Sequence, residues 1–120
     1  MKYETPGPMD RTEAARLLQS PIPEEVCKAL LAVALHEKDW RWAQERCFEA
    51  TRHASLEVRA LSATCFGHLA RVHGNLELDR VIPALRALQK EPELAGRVED
   101  AIDDINMFMK PSPAVEPVSG

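Results

Sequence analysis

Four carboxylates crowd a short stretch near the end of the chain: Glu99, Asp100, Asp103 and Asp104. At helical spacing they project along one flank, with Asp100 and Asp104 stacked a turn apart. Carboxylates gathered in this way can hold a cation, move protons or meet a basic surface. The first two uses want companions, and no histidine stands close in sequence. Between Glu93 and Met109 five acids face one base, a local charge of −4 that equals the formal charge of the whole chain. The flank reads either as the solvated end of a domain or as a docking face for a basic partner.

A second cluster is Trp40-Arg41-Trp42. Tryptophan and arginine are favoured interface anchors, and residues two apart on a helix cannot both point into the core, so one of the two indoles is expected at the surface. The remaining chemistry-bearing residues make no constellation. His36, His53, His68 and His73 include no pair three or four apart, so no metal site is expected, and His36 and His53 fall where helices should end and an imidazole suits the dipole. Three cysteines form neither a Cys-x-x-Cys motif nor an even disulfide framework. They are expected as reduced thiols, with Cys47-Phe48 and Cys65-Phe66 placing two of them in helix cores. No nucleophile elbow and no phosphate-cradling glycine loop is present, so neither catalytic residues nor a cofactor is expected.

The elements that must carry these residues are helical. Asp10, Asp39 and Ser55 are candidate N-caps, Pro23 suits a first turn, and Gly74-Asn75 is a stop that tolerates left-handed backbone. They predict six helices over 10–19, 23–35, 39–52, 55–73, 79–88 (with Pro83 near its start) and 93–109, joined as three hairpins. Val58, Leu61, Cys65 and Leu69 form one apolar stripe, and Val98, Ala101, Ile102, Ile105 and Met109 another. Gly67 inside a helix points to close helix approach. A turn followed by a helix start recurs around Val26, Val58 and Val98, spaced 32 and 40 residues apart. That period predicts an α-solenoid, in which no single unit buries its own apolar face. The domain is expected over 10–109, with disordered tails over 1–9 and, rich in proline, over 110–120.

Composition narrows the function. A sequence pI near 5.6 disfavours nucleic acid as a partner. No apolar run is long enough to cross a membrane, and the first residues lack a secretory signal, so a cytoplasmic location is expected.

Glu57-Val58-Arg59-Ala60, Val81-Ile82-Pro83-Ala84-Leu85 and Glu91-Pro92-Glu93 resemble the HEAT-repeat consensus of bacterial HEAT-like proteins, over about residues 10 to 109. The resemblance implies a short right-handed α-solenoid of about three hairpins, in which the valine packs inside and Arg59 ties one unit to the next. Asp39-Trp40-Arg41-Trp42-Ala43-Gln44, the stretch from Cys65 to Gly74, and Gly96-Arg97-Val98-Glu99-Asp100-Ala101 look like small immunity proteins of contact-dependent growth inhibition and related polymorphic toxin systems. That likeness implies a non-enzymatic binding protein that occludes a basic toxin domain, with Glu99, Asp100, Asp103 and Asp104 as one contact patch and Trp40, Arg41 and Trp42 as another. A HEAT scaffold or regulatory module for a housekeeping partner is the alternative. An enzyme is a third reading, since HEAT-like folds include DNA glycosylases and bilin lyases, but no site supports it.

Overall fold

The structure is a computed structural model that describes residues 6–109. Six α-helices follow one another, with no strand among the described residues: α1 (Arg11–Leu18), α2 (Pro23–His36), α3 (Trp40–Ala50), α4 (Leu56–His73), α5 (Leu78–Gln89) and α6 (Ala95–Phe108), the last preceded by a single 3-10 turn over Pro92–Leu94. Residues 1–5 and 110–120, which make up most of the two expected tails, lie outside the described residues. Residues 6–9 carry no helix but lie against the fold: His36 Nε2 donates to the Pro6 carbonyl at 2.7 Å, and Met9 packs on the core.

Local chemistry accounts for the helix boundaries. Asp10, Asp39 and Ser55 accept from the backbone N–H groups of Glu13, Trp42 and Val58 at 2.8, 3.1 and 3.4 Å, satisfying donors that a helix start leaves open. Pro23 stands at the first position of α2. Gly74 closes α4 with φ at 66°, a conformation that costs an L side chain strain. Pro83 departs from expectation: it is the sixth residue of α5, where its missing N–H leaves the Asp79 carbonyl without its helical donor. The ring is exposed there, so α5 carries the proline on its solvent side. The last helix also begins later than its sequence suggests, because Leu94 is drawn into the core, 1% exposed, and Pro92 opens a tighter turn ahead of it.

Packing follows from an alternation. α2, α4 and α6 form a row with α4 in the middle, and α1, α3 and α5 lie against α2, α4 and α6 respectively. A central helix covered from several sides must be apolar nearly all round. Accordingly α4 buries Val58, Ala60, Leu61, Ala63, Cys65, Phe66, Leu69 and Ala70, with Ser62 and Gly67 also inside. Val26, Val58 and Val98 occupy corresponding buried places early in α2, α4 and α6. Phe48 and Phe66 join α3 to α4 with ring centroids 5.1 Å apart in a tilted arrangement. All three cysteines are buried, and none forms a disulfide. The neighbouring Cys47 thiol, together with burial, pushes the Cys65 thiol well above its usual range, which keeps it protonated and unreactive at neutral pH.

Candidate protein-binding surfaces

α6 packs inward through Val98, Ala101 and Ile105. That stripe leaves Glu99, Asp100 and Asp103 exposed on the far flank, and none of the three makes a hydrogen bond or ion pair among the described residues. Asp104 does not belong with them. It is half-buried against α4, where a Cβ added to Gly67 would lie 2.8 Å from Asp104 Oδ2 and 3.5 Å from Ala101 Cα. Gly67 thus permits the close approach of α4 and α6. Burial, and then the Arg71 charge, holds the His68 imidazole below its ordinary pKa, while the Asp104 carboxylate works in the opposite direction. The acidic flank therefore holds three free carboxylates, and the fourth lies at the helix seam.

Trp40 and Trp42 are both half-buried, so each indole is partly exposed where their spacing asks this of at least one. Their surroundings differ. Trp42 packs against the core, and the guanidinium carbons of Arg11 and Arg46 lie 4.5 and 4.8 Å from its ring centroid. Arg11 in turn bonds Glu37 at 2.9 Å and Asp39 at 3.4 Å, so Trp42 sits within a junction of α1, α3 and the turn before α3. Partial burial opposes ionisation of Glu37, but the Arg11 bond and the Asp39 N–H outweigh it and hold the carboxyl below its ordinary pKa. The Arg41 guanidinium lies 4.5 Å from the Trp40 ring centroid, and because Arg41 is exposed this pair is the part of the cluster more open to a partner. The clustering of Arg46 with Trp42 was visible as a spacing of four on one helix, whereas Arg11 is 31 residues away and carried no local signal.

The other arginines are taken up by the fold. Arg59 forks onto both Glu91 oxygens at 3.0 and 2.8 Å and donates to the His53 and Ala54 carbonyls, tying the start of α4 to the turn after α5, a contact of the kind the family resemblance implies. Arg80 reaches Glu45 at 2.6 Å and Glu77 at 2.6 Å, and these bonds hold both carboxyls below their usual range. Fully buried Gln44 accepts from the Glu77 backbone N–H at 2.8 Å and donates to the Glu77 side chain at 3.0 Å. Sequence reasoning did not single out Arg80 or Gln44. No group of three or more potential ligands for a metal ion occurs among the described residues. The acidic flank of α6 and the Trp40–Arg41 pair lie on helices of opposite rows, and no hydrogen bond or ion pair links them.

No protein-family model matches the chain, and no curated protein matches it. In the crystal structure of the CDI complex from Cupriavidus taiwanensis LMG 19424, one chain is 32% identical to this one, with a TM-score of 0.79. The likeness covers 90% of this chain and 96% of that one, so it extends over whole domains and not a shared fragment.

Proposed function

Because the chain belongs to the same family as that component of the Cupriavidus taiwanensis CDI complex, we propose that it is an immunity protein of a contact-dependent growth inhibition system. In this reading it is a cytoplasmic, non-enzymatic protein that binds a cognate toxin domain and covers its active surface, without nucleic acid, membrane or cofactor. The carrying observation is end-to-end likeness to a chain of a CDI complex. The free carboxylates Glu99, Asp100 and Asp103 support a basic partner, because charges with no partner inside the fold are available for complementary ones outside it. Asp104 would act from behind by holding α6 close to α4, and Trp40 with Arg41 would form a second contact patch. Trp42 would support that patch from within.

The architecture is best read as a short right-handed HEAT-like solenoid of three hairpins. The corresponding buried valines Val26, Val58 and Val98 support that reading, as does the Arg59–Glu91 bond between successive units. A decisive experiment co-expresses the protein with the toxin domain encoded beside it and measures growth. Relief of toxicity, with a stable one-to-one complex, supports the proposal; undiminished toxicity with several housekeeping proteins co-purifying would replace it with the scaffold reading.

A further inference from the structure

The outward stripe of α6 lies opposite Val98, Ala101 and Ile105 and runs through Asp100, Asp103 and Met107, residues three and four apart that are all exposed. Its two carboxylates are unpaired, and its far end is apolar. Met107 is 61% exposed, the most open of the large apolar side chains among the described residues, and the next residue, Phe108, is 40% exposed. The helix is not frayed there: the Met109 backbone N–H bonds the Ile105 carbonyl at 2.8 Å, and the Met109 side chain packs on the core. Met107 and Phe108 therefore stand outward on an ordered turn. Single apolar residues on a surface are ordinary, and Ile22, Leu56 and Val72 are of that kind, each isolated along the chain. The α6 pair differs in being contiguous and in continuing a stripe of unpaired charge.

We propose that the C-terminal half of α6 receives a segment of the toxin domain in which a lysine or arginine stands beside a large apolar side chain. The inference rests on the immunity reading and sharpens it, because the contact is then not charge alone. The cation meets Asp100 and Asp103, and the apolar side chain packs on Met107 and Phe108. Methionine suits such a place, since its unbranched thioether adapts to the surface it meets and is favoured at interfaces. The apolar contact also excludes water from the neighbouring charges, where their attraction is worth more than in bulk solvent. Charge decides the occupant. A second copy of the chain docking through the same face would set Asp100 and Asp103 against the same acids, and a nucleic acid would bring phosphates to them. Arg97, the one cation of α6, is directed to Thr64 at 3.1 Å and leaves the stripe unneutralised.

The test is a calorimetric titration of the toxin domain encoded beside this protein into the full chain and its variants M107S, M107E and D100N/D103N, at low and at high salt. M107S and M107E should each weaken binding about tenfold, M107S by a similar factor at either salt concentration. D100N/D103N should weaken it chiefly at low salt. M107E is the discriminating variant, because a face that attracts the toxin by charge alone would bind more tightly with a further acid on it. Met107 faces solvent, so circular dichroism should show both variants folded. In protein labelled at the methionine methyls, the Met107 signal should also move as the complex forms. Full affinity of folded M107S, tighter binding by M107E, or a Met107 signal that stays in place at saturation overturns the proposal and leaves the immunity reading standing. Self-association of the free protein that M107S abolishes would assign the face to a second copy and overturn it too. No binding by the wild-type protein overturns the immunity reading, and this inference with it.

Discussion

Gly67→Ala should destabilise the protein, although helix propensity alone says the opposite. In an exposed helix interior, alanine is favoured over glycine by about 1 kcal/mol. At position 67 the new methyl would lie 2.8 Å from Asp104 Oδ2, 3.3 Å from Asp104 Cβ and 3.5 Å from Ala101 Cα. The oxygen is the end of a short side chain and can swing away, at an off-rotamer cost of roughly 0.5–1.5 kcal/mol. The Cβ contact cannot be relieved that way. It requires α6 to give by a few tenths of an ångström along its seam with α4, and overpacking of this kind costs about 1–3 kcal/mol. The two costs together, about 1.5–4.5 kcal/mol, exceed the propensity gain of about 1 kcal/mol, leaving a net loss of about 0.5–3.5 kcal/mol. Asp104→Ala removes the oxygen contact but keeps the Cβ, so Gly67→Ala should still destabilise in that background, by up to about 2 kcal/mol, with a coupling energy of about 0.5–1.5 kcal/mol between the sites. Urea unfolding of the four proteins of the cycle, followed by circular dichroism at 222 nm, measures each term. If Gly67→Ala alone raises stability by the full propensity value, the close approach of α4 and α6 at this point is not a constraint, and the packing argument is wrong.

Arg80→Met should lower the melting temperature at neutral pH, with the difference from wild type shrinking as pH falls below the ordinary Glu range. Glu45 and Glu77 have depressed pKa values when folded, so their contribution is present above the unfolded value and is lost as pH falls through the folded one. His68→Gln should flatten the stability profile just below pH 6.5. The folded imidazole is depressed by burial and Arg71, against the pull of Asp104, so acid charges the unfolded chain first. Thermal melts across pH check both; a constant Arg80→Met deficit, or an unchanged His68→Gln slope, contradicts them. Trp42→Ala should cost roughly 2 kcal/mol of stability as a partly buried anchor, whereas Trp40→Ala should cost under about 1 kcal/mol and appear instead as weaker toxin binding in calorimetry. Replacing Glu99, Asp100 and Asp103 together by Gln, Asn and Asn should stabilise α6 by up to about 1 kcal/mol and weaken toxin binding most at low salt. Unchanged affinity would leave those acids as a solvated end.

The helical organisation was legible because its signals are local. Caps at Asp10, Asp39 and Ser55, the stop at Gly74 and the apolar stripe of α4 each need only a few neighbouring residues to be recognised. Cysteine burial and the close approach at Gly67 were legible for the same reason. Position within a helix was less so: Pro83 reads as a start signal but is tolerated farther in because its side of α5 faces solvent. The candidate surfaces were legible only as lists of residues. Spacing put Asp104 with the other acids, since it lies a turn from Asp100, but the flank that faces α4 is set by where Val98 and Ala101 pack. Likewise Trp42 was assigned partner by partner through Arg11, a residue of another helix that no periodicity could supply.

The distribution of carboxylates links stability to binding. Glu37, Asp39, Glu45, Glu77 and Glu91 all meet an arginine, and those bonds cross between helices or from a helix to a turn. These acids are committed to holding the hairpins together. Along α6 the pairs Glu99–Asp103, Asp100–Asp103 and Asp100–Asp104 instead set like charges three or four residues apart, each disfavouring the helix by about 0.2–0.5 kcal/mol. Arg97, the one cation of α6, points to Thr64 on α4 at 3.1 Å and is not among their ion-pair partners. An isolated domain selected only for stability gains nothing from this arrangement, whereas a domain that meets a basic surface recovers the repulsion when that surface arrives. The affinity gained in this way would fall steeply with salt, while the Arg59–Glu91 fork would keep much of its geometry because it is also tied to two backbone carbonyls. Salt should therefore separate binding from folding in this protein, dissociating the complex at ionic strengths where the helices remain assembled.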